Sequence, residues 1–128
     1  MLLSITFFLA LGATLVAVFM TVQTGRRGDR MAHLVRALST VGLLGVTILL
    51  ALWLGEQLDF PTDAMDIHKI FARTAGLLVL PVVGTGIVLW HRPAWRIAHR
   101  ACVYLLLVVL LIAVGTGIWV FSLSTPKT

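Results

Sequence analysis

Four histidines, His33, His68, His91 and His99, stand in a strongly apolar chain. Imidazole binds metal or porphyrin iron through one ring nitrogen while the other makes a hydrogen bond. Each of the four falls within a turn or two of the end of an apolar stretch, where a histidine is equally at home as an interfacial residue. Repetition sets two of them apart. His68-Lys69 precedes Val83-Gly84-Thr85-Gly86-Ile87 by the same distance at which His99-Arg100 precedes Val114-Gly115-Thr116-Gly117-Ile118. A pentapeptide that recurs at a fixed distance from a histidine asks what geometry it serves.

The elements carrying these residues follow from composition. The chain has 128 residues, 59% apolar and only 12% charged, with a mean hydropathy of +1.03. Soluble domains hold about 45–50% apolar and roughly 25% charged residues, so a water-soluble fold is excluded. Four apolar runs, Leu2–Val22, Leu38–Leu54, Thr74–Trp90 and Ala101–Phe121, approach the ~20 residues a helix needs to span a bilayer. Being continuous rather than alternating, they do not describe a membrane β-barrel. The expected fold is all-α: a single domain over 1–128, with transmembrane helices near 2–22, 33–54, 66–90 and 95–121 in an up-down four-helix bundle.

The first run reads as a retained helix. No Lys or Arg precedes it, and Arg26, Arg27 and Arg30 follow it, the reverse of a signal peptide. The net charge of +5 follows membrane topology better than nucleic-acid binding. Arg26, Arg27, Arg30 and Arg36 surround the first loop, and Arg92, Arg96 and Arg100 the third, whereas the second carries Glu56, Asp59, Asp63 and Asp66. The positive-inside rule then puts loops one and three in the cytoplasm and both termini on the outer side of a bacterial inner membrane. Cys102, alone, forms no intrachain disulfide.

The short turn His91–Trp95 makes the third and fourth helices antiparallel neighbours, and Pro81 inside the third removes one backbone hydrogen bond. Counting outward from the turn places Gly86 level with His99, and His68 level with Gly115–Gly117. Each glycine pair leaves a hollow beside an imidazole. Such a hollow serves close helix packing or holds a flat ligand whose iron the imidazole binds.

His33 opens the second helix and His99 the fourth, both running in the same direction, diagonal in an up-down bundle. That pair suits the two axial positions of haem b. Gly84 and Gly86, with Gly42 or Gly45, would make room for the porphyrin, and Arg30, Arg36, Arg96 and Arg100 stand at the level of its propionates. His68 has no histidine partner at its own face and suits a hydrogen bond to a quinone. His91 is not expected to ligate. Spacings such as HxxxH or HExxH are missing, so a metal site without porphyrin is not expected, and no hydrolytic constellation is present.

The stretches "IHKIFARTAGLLVLPVVGTGIVLW" and "AHRACVYLLLVVLLIAVGTGIWVF" resemble helices of the cytochrome b561 superfamily, which begin His-Lys or His-Arg and finish in Thr-Gly. The resemblance covers the third and fourth helices and reaches the second through His33. It implies haem b, electron transfer within the membrane, and quinone/quinol or a respiratory complex as partner. His33 and His99 would be ligands, with His68 at the place of a further one. In that family one helix carries two histidines about fourteen residues apart, a spacing at which this chain has Thr47 after His33 and Ala113 after His99. One haem rather than two is therefore implied. The alternative is a cofactor-free accessory subunit of a larger membrane complex, its glycines facing a foreign helix. A transporter is disfavoured, because no charge lies in mid-membrane.

Overall fold

The computed structural model describes residues 2–127. Four long helices dominate: α1 (Leu2–Arg27), α2 (Arg30–Gln57), α3 (Thr62–His91) and α4 (Arg96–Ser122), the last led in by a 3-10 turn at Pro93–Trp95. Two-residue strands, β1 (Leu58–Asp59) and β2 (Thr125–Pro126), complete the described elements. All four helices are long and apolar enough to cross a membrane, the expected class. They run past the apolar stretches that foretold them. Helical backbone satisfies itself whatever the side chain, so charged ends such as Arg26-Arg27 and Thr62–Asp66 continue the helix.

The chain divides into two compact units. The first runs to Leu58 and includes Lys127; the second is Asp59–Pro126. Each is an antiparallel helical hairpin, α1 on α2 and α3 on α4.

In the first hairpin the turn is only Gly28 and Asp29. Gly28 has φ +79, a left-handed conformation that costs a glycine little. Asp29 caps α2, its carboxylate accepting from the Ala32 N–H at 3.0 Å. At the other end, Lys127 donates its backbone N–H to the Gln57 carbonyl at 3.2 Å and its Nζ to the Glu56 carbonyl at 3.0 Å. In the second hairpin α3 remains helical through Pro81. Its turn closes with the Arg92 N–H on the Val88 carbonyl and the Trp95 N–H on the Arg92 carbonyl.

The inward-facing residues recur every seventh position, the seam of a left-handed helix pair. In α2 they are His33, Thr40, Thr47 and Leu54; in α3 His68, Ala75, Val82 and Leu89; in α4 His99, Leu106, Ala113 and Val120. Thr47, Leu54, Ala75, Ala113 and Val120 are fully buried. The first hairpin is stitched by hydroxyls: buried Thr14 bonds Thr47 at 2.8 Å, and Thr21 bonds Thr40 at 2.8 Å. Each of these threonines also donates to, or shares its hydroxyl with, the carbonyl one turn earlier, so no buried hydroxyl is wasted. The second hairpin has Ala75 and Ala113 at the matching depth, packed without polar atoms. Outward-facing Leu9, Leu49, Leu77 and Leu111 are about two-thirds exposed, a surface that lipid would cover.

Candidate functional site

Three of the four histidines are built into one recurring arrangement. In the second hairpin the His99 ring lies over Gly86 of α3, so close that a Cβ on that glycine would sit 3.3 Å from His99 Cε1. His99 Nδ1 is 3.0 Å from the Thr85 hydroxyl, which lies 2.6 Å from the Pro81 carbonyl and 3.2 Å from that of Val82. At the opposite end the roles of the helices exchange. His68 of α3 lies over Gly117 of α4, where a Cβ would be 3.0 Å from His68 Cε1. Its Nδ1 is 3.2 Å from the Thr116 hydroxyl, itself bonded to the Ile112 and Ala113 carbonyls at 2.9 and 3.0 Å. The depth expected from sequence for both histidines is the depth observed. The glycine hollows are filled by the imidazoles themselves.

The first hairpin holds a third copy that the sequence reading missed. His33 lies over Gly25, where a Cβ would be 3.0 Å from Cε1 and 3.1 Å from Nδ1. Its Nδ1 is 2.9 Å from the Thr21 carbonyl, which also accepts from the Thr24 hydroxyl at 2.9 Å. Two signals were available. Thr24-Gly25 repeats the Thr-Gly of the other copies, and Arg30-Met31-Ala32-His33 is nearly the same tetrapeptide as Arg96-Ile97-Ala98-His99. Aligned on these, the first hairpin corresponds to the second, with a shorter turn.

A carbonyl only accepts, so His33 donates from Nδ1 to the Thr21 carbonyl, which leaves its lone pair on Nε2. His68 also bonds the Ala113 backbone. The Thr85 hydroxyl stands between helix carbonyls and His99 Nδ1 and can accept from the ring or donate to it. A methyl group at Gly25 or Gly117 would lie 3.0 Å from ring carbon and one at Gly86 3.3 Å, tighter than most such contacts, so the histidine would have to retreat by a few tenths of an ångström.

The remaining expected site residues are dispersed. A methyl group placed on Gly84, Gly42 or Gly45 would meet no atom within 4 Å, so these glycines present open helix faces. Arg36 reaches back to the Met20 carbonyl at 3.5 Å. Arg30, Arg96 and Arg100 are exposed, as is His91, the last residue of α3. The one ion pair among the described residues is Lys69–Asp66 at 3.6 Å. His33 belongs to the first unit, and His68 and His99 to the second. Among the described residues no group of three or more His, Cys, Asp or Glu is placed to hold a metal ion. No protein-family model, curated protein or solved structure matches the chain.

Proposed function

We propose that this multi-pass membrane protein is a b-type haem electron carrier in which His33 and His99 would hold the iron. One observation carries the reading: Nδ1 of each ring is engaged within its own hairpin, by the Thr21 carbonyl for His33 and by the Thr85 hydroxyl for His99. Ligating imidazoles usually have such a partner, which orients the ring and, when it accepts from Nδ1–H, raises the basicity of Nε2. The residues thus fit the group by donor type. Bound haem would supply a one-electron couple; the chain's part is to orient the imidazoles and set the surrounding polarity. In this reading the open face of Gly84 gives room beside the ligand helices, while Arg36 and Arg100 neutralise propionates. The arginine-rich turns face the cytoplasm of a bacterial inner membrane, and quinone/quinol or a respiratory complex exchanges the electron. His68, whose Nδ1 is engaged by Thr116 at the far end of the second hairpin, offers an Nε2 lone pair that would accept from a quinol hydroxyl.

A second reading is favoured by the same contacts seen differently. Each imidazole already fills a glycine face and bonds across its own hairpin. That is enough to account for the three histidines as clasps in a cofactor-free subunit of a larger membrane complex.

An optical spectrum of detergent-purified protein from haem-replete cells separates the two. The haem reading expects a Soret band with sharp α and β bands on dithionite reduction. It expects their loss in His33→Ala and in His99→Ala, and their retention in His91→Ala. A featureless visible spectrum, or loss confined to His91→Ala, overturns it.

A further inference from the structure

The turn of the second hairpin and the start of α4 carry three arginines, Arg92, Arg96 and Arg100, all exposed. None of them forms an ion pair among the described residues. The acids of this unit, Asp59, Asp63 and Asp66, lie at the start of α3, a whole helix away. Two tryptophans flank the turn, Trp90 at 45% exposure and Trp95 at 42%. Indole favours the headgroup layer of a bilayer. The helices entering and leaving the turn are those able to span a membrane, which sets the arginines at the phosphate level. The first hairpin's turn differs: it contains Asp29, although that carboxylate is engaged in capping α2.

We propose that the His91–Arg100 turn is a docking site for the phosphate group of an anionic phospholipid, gripped by Arg92, Arg96 and Arg100 between the two indoles. Charge complementarity selects this occupant. Guanidinium groups with no carboxylate to pair with, held at the membrane surface, bind phosphate oxygens through charge-assisted and often bidentate hydrogen bonds. A zwitterionic headgroup brings its own cation and gains less. The site stands without a haem, and with one bound, Arg92 and Arg96 carry it, Arg100 being shared with a propionate.

The test uses the indoles as reporters. The full chain carrying Trp53→Phe and Trp119→Phe keeps only Trp90 and Trp95, and is reconstituted with brominated lipids that quench neighbouring indoles. Brominated phosphatidylglycerol is compared with brominated phosphatidylcholine. Each surface arginine is expected to contribute on the order of fivefold. The parent should therefore favour the anionic lipid by about fivefold or more, and Arg92→Gln/Arg96→Gln/Arg100→Gln should reduce the preference to near unity. The matching triple Lys variant should keep it, with circular dichroism checking the helices of both. Equal quenching by the two lipids in the parent overturns the proposal. So does an undiminished preference in the Gln variant, or its loss in the Lys variant.

Discussion

Replacing the clasp glycines by alanine should produce a graded loss of stability whose order is set by how closely each imidazole approaches the added methyl. Gly84 and Gly115 are the references, since a Cβ there meets nothing within 4 Å. Alanine at those sites only gains helix propensity, about 1 kcal/mol on aqueous scales. At Gly25 the new methyl would lie 3.0 Å from His33 Cε1 and 3.1 Å from Nδ1. The ring must withdraw by a few tenths of an ångström. Its Nδ1 is bonded at 2.9 Å to a carbonyl fixed in the α1 backbone, so withdrawal stretches that bond. An interhelical hydrogen bond in a membrane protein is worth roughly 0.6 kcal/mol on average and up to about 1.7. With lost ring packing, Gly25→Ala should fall about 1–2 kcal/mol below the references. Gly117→Ala should fall less. Its Cε1 approach is the same, 3.0 Å, but Nδ1 is farther, at 3.4 Å, and the partner hydroxyl of Thr116 can rotate to follow the ring. Gly86→Ala, with 3.3 Å to Cε1, should fall least. Equilibrium unfolding in mixed detergent micelles measures all five variants on one scale. If the five alanines are indistinguishable, or Gly86→Ala is the worst of them, the imidazole-on-glycine contacts do not hold the hairpins.

Two further outcomes test the hydrogen bonds directly. Thr85→Val and Thr116→Val remove the hydroxyls beside Nδ1 of His99 and His68 and should shift the Nδ1 resonances of those rings in ¹⁵N spectra, more for His99 than for His68, which keeps its bond to the Ala113 backbone. Thr21→Val keeps the backbone carbonyl and should leave His33 unchanged; a tautomer shift at His33 alone would contradict the assignment. A double-mutant cycle of Thr14→Val and Thr47→Val should show a coupling of roughly 0.6–1.7 kcal/mol across the buried hydroxyl pair, and strictly additive losses would show that the bond contributes nothing.

The membrane-spanning helices were legible because twenty-residue apolar runs leave the backbone few alternatives, and the levels of His68 and His99 followed from counting helical rise on either side of a short turn. The third clasp was harder to see. Gly25 is followed by Arg26-Arg27 instead of Ile and Val, and the turn after it is shorter, so neither the Val-Gly-Thr-Gly-Ile pentapeptide nor its spacing to a histidine survives. The helices run longer than the apolar stretches for a related reason: hydropathy marks where lipid ends, whereas Gly28 and Asp29 mark where the helical backbone stops. Thr14 and Thr47 left no signal at all, since a threonine that bonds the preceding turn is tolerated on any face of an apolar helix.

The alignment of the two hairpins also separates structural need from function. At the end away from the turn, the second hairpin has His68 over Thr116-Gly117, and the first has Phe7 and Leu50-Ala51 at the corresponding positions. The first hairpin still closes, using the Thr14–Thr47 pair and buried Leu54. A hairpin of this sequence type therefore does not require an imidazole clasp at that end, and His68 calls for a reason beyond folding. Near the turn the clasp is present in both hairpins, with Nδ1 engaged in both although the partner is a carbonyl in one and a hydroxyl in the other. If only helix packing were at stake, a leucine or phenylalanine over an alanine would close the turn-proximal end, just as the far end of the first hairpin closes without an imidazole. What the two copies share beyond the fit of a ring on a glycine is an engaged Nδ1. That shared anchoring orients Nε2, and it is the reason to look for iron at His33 and His99.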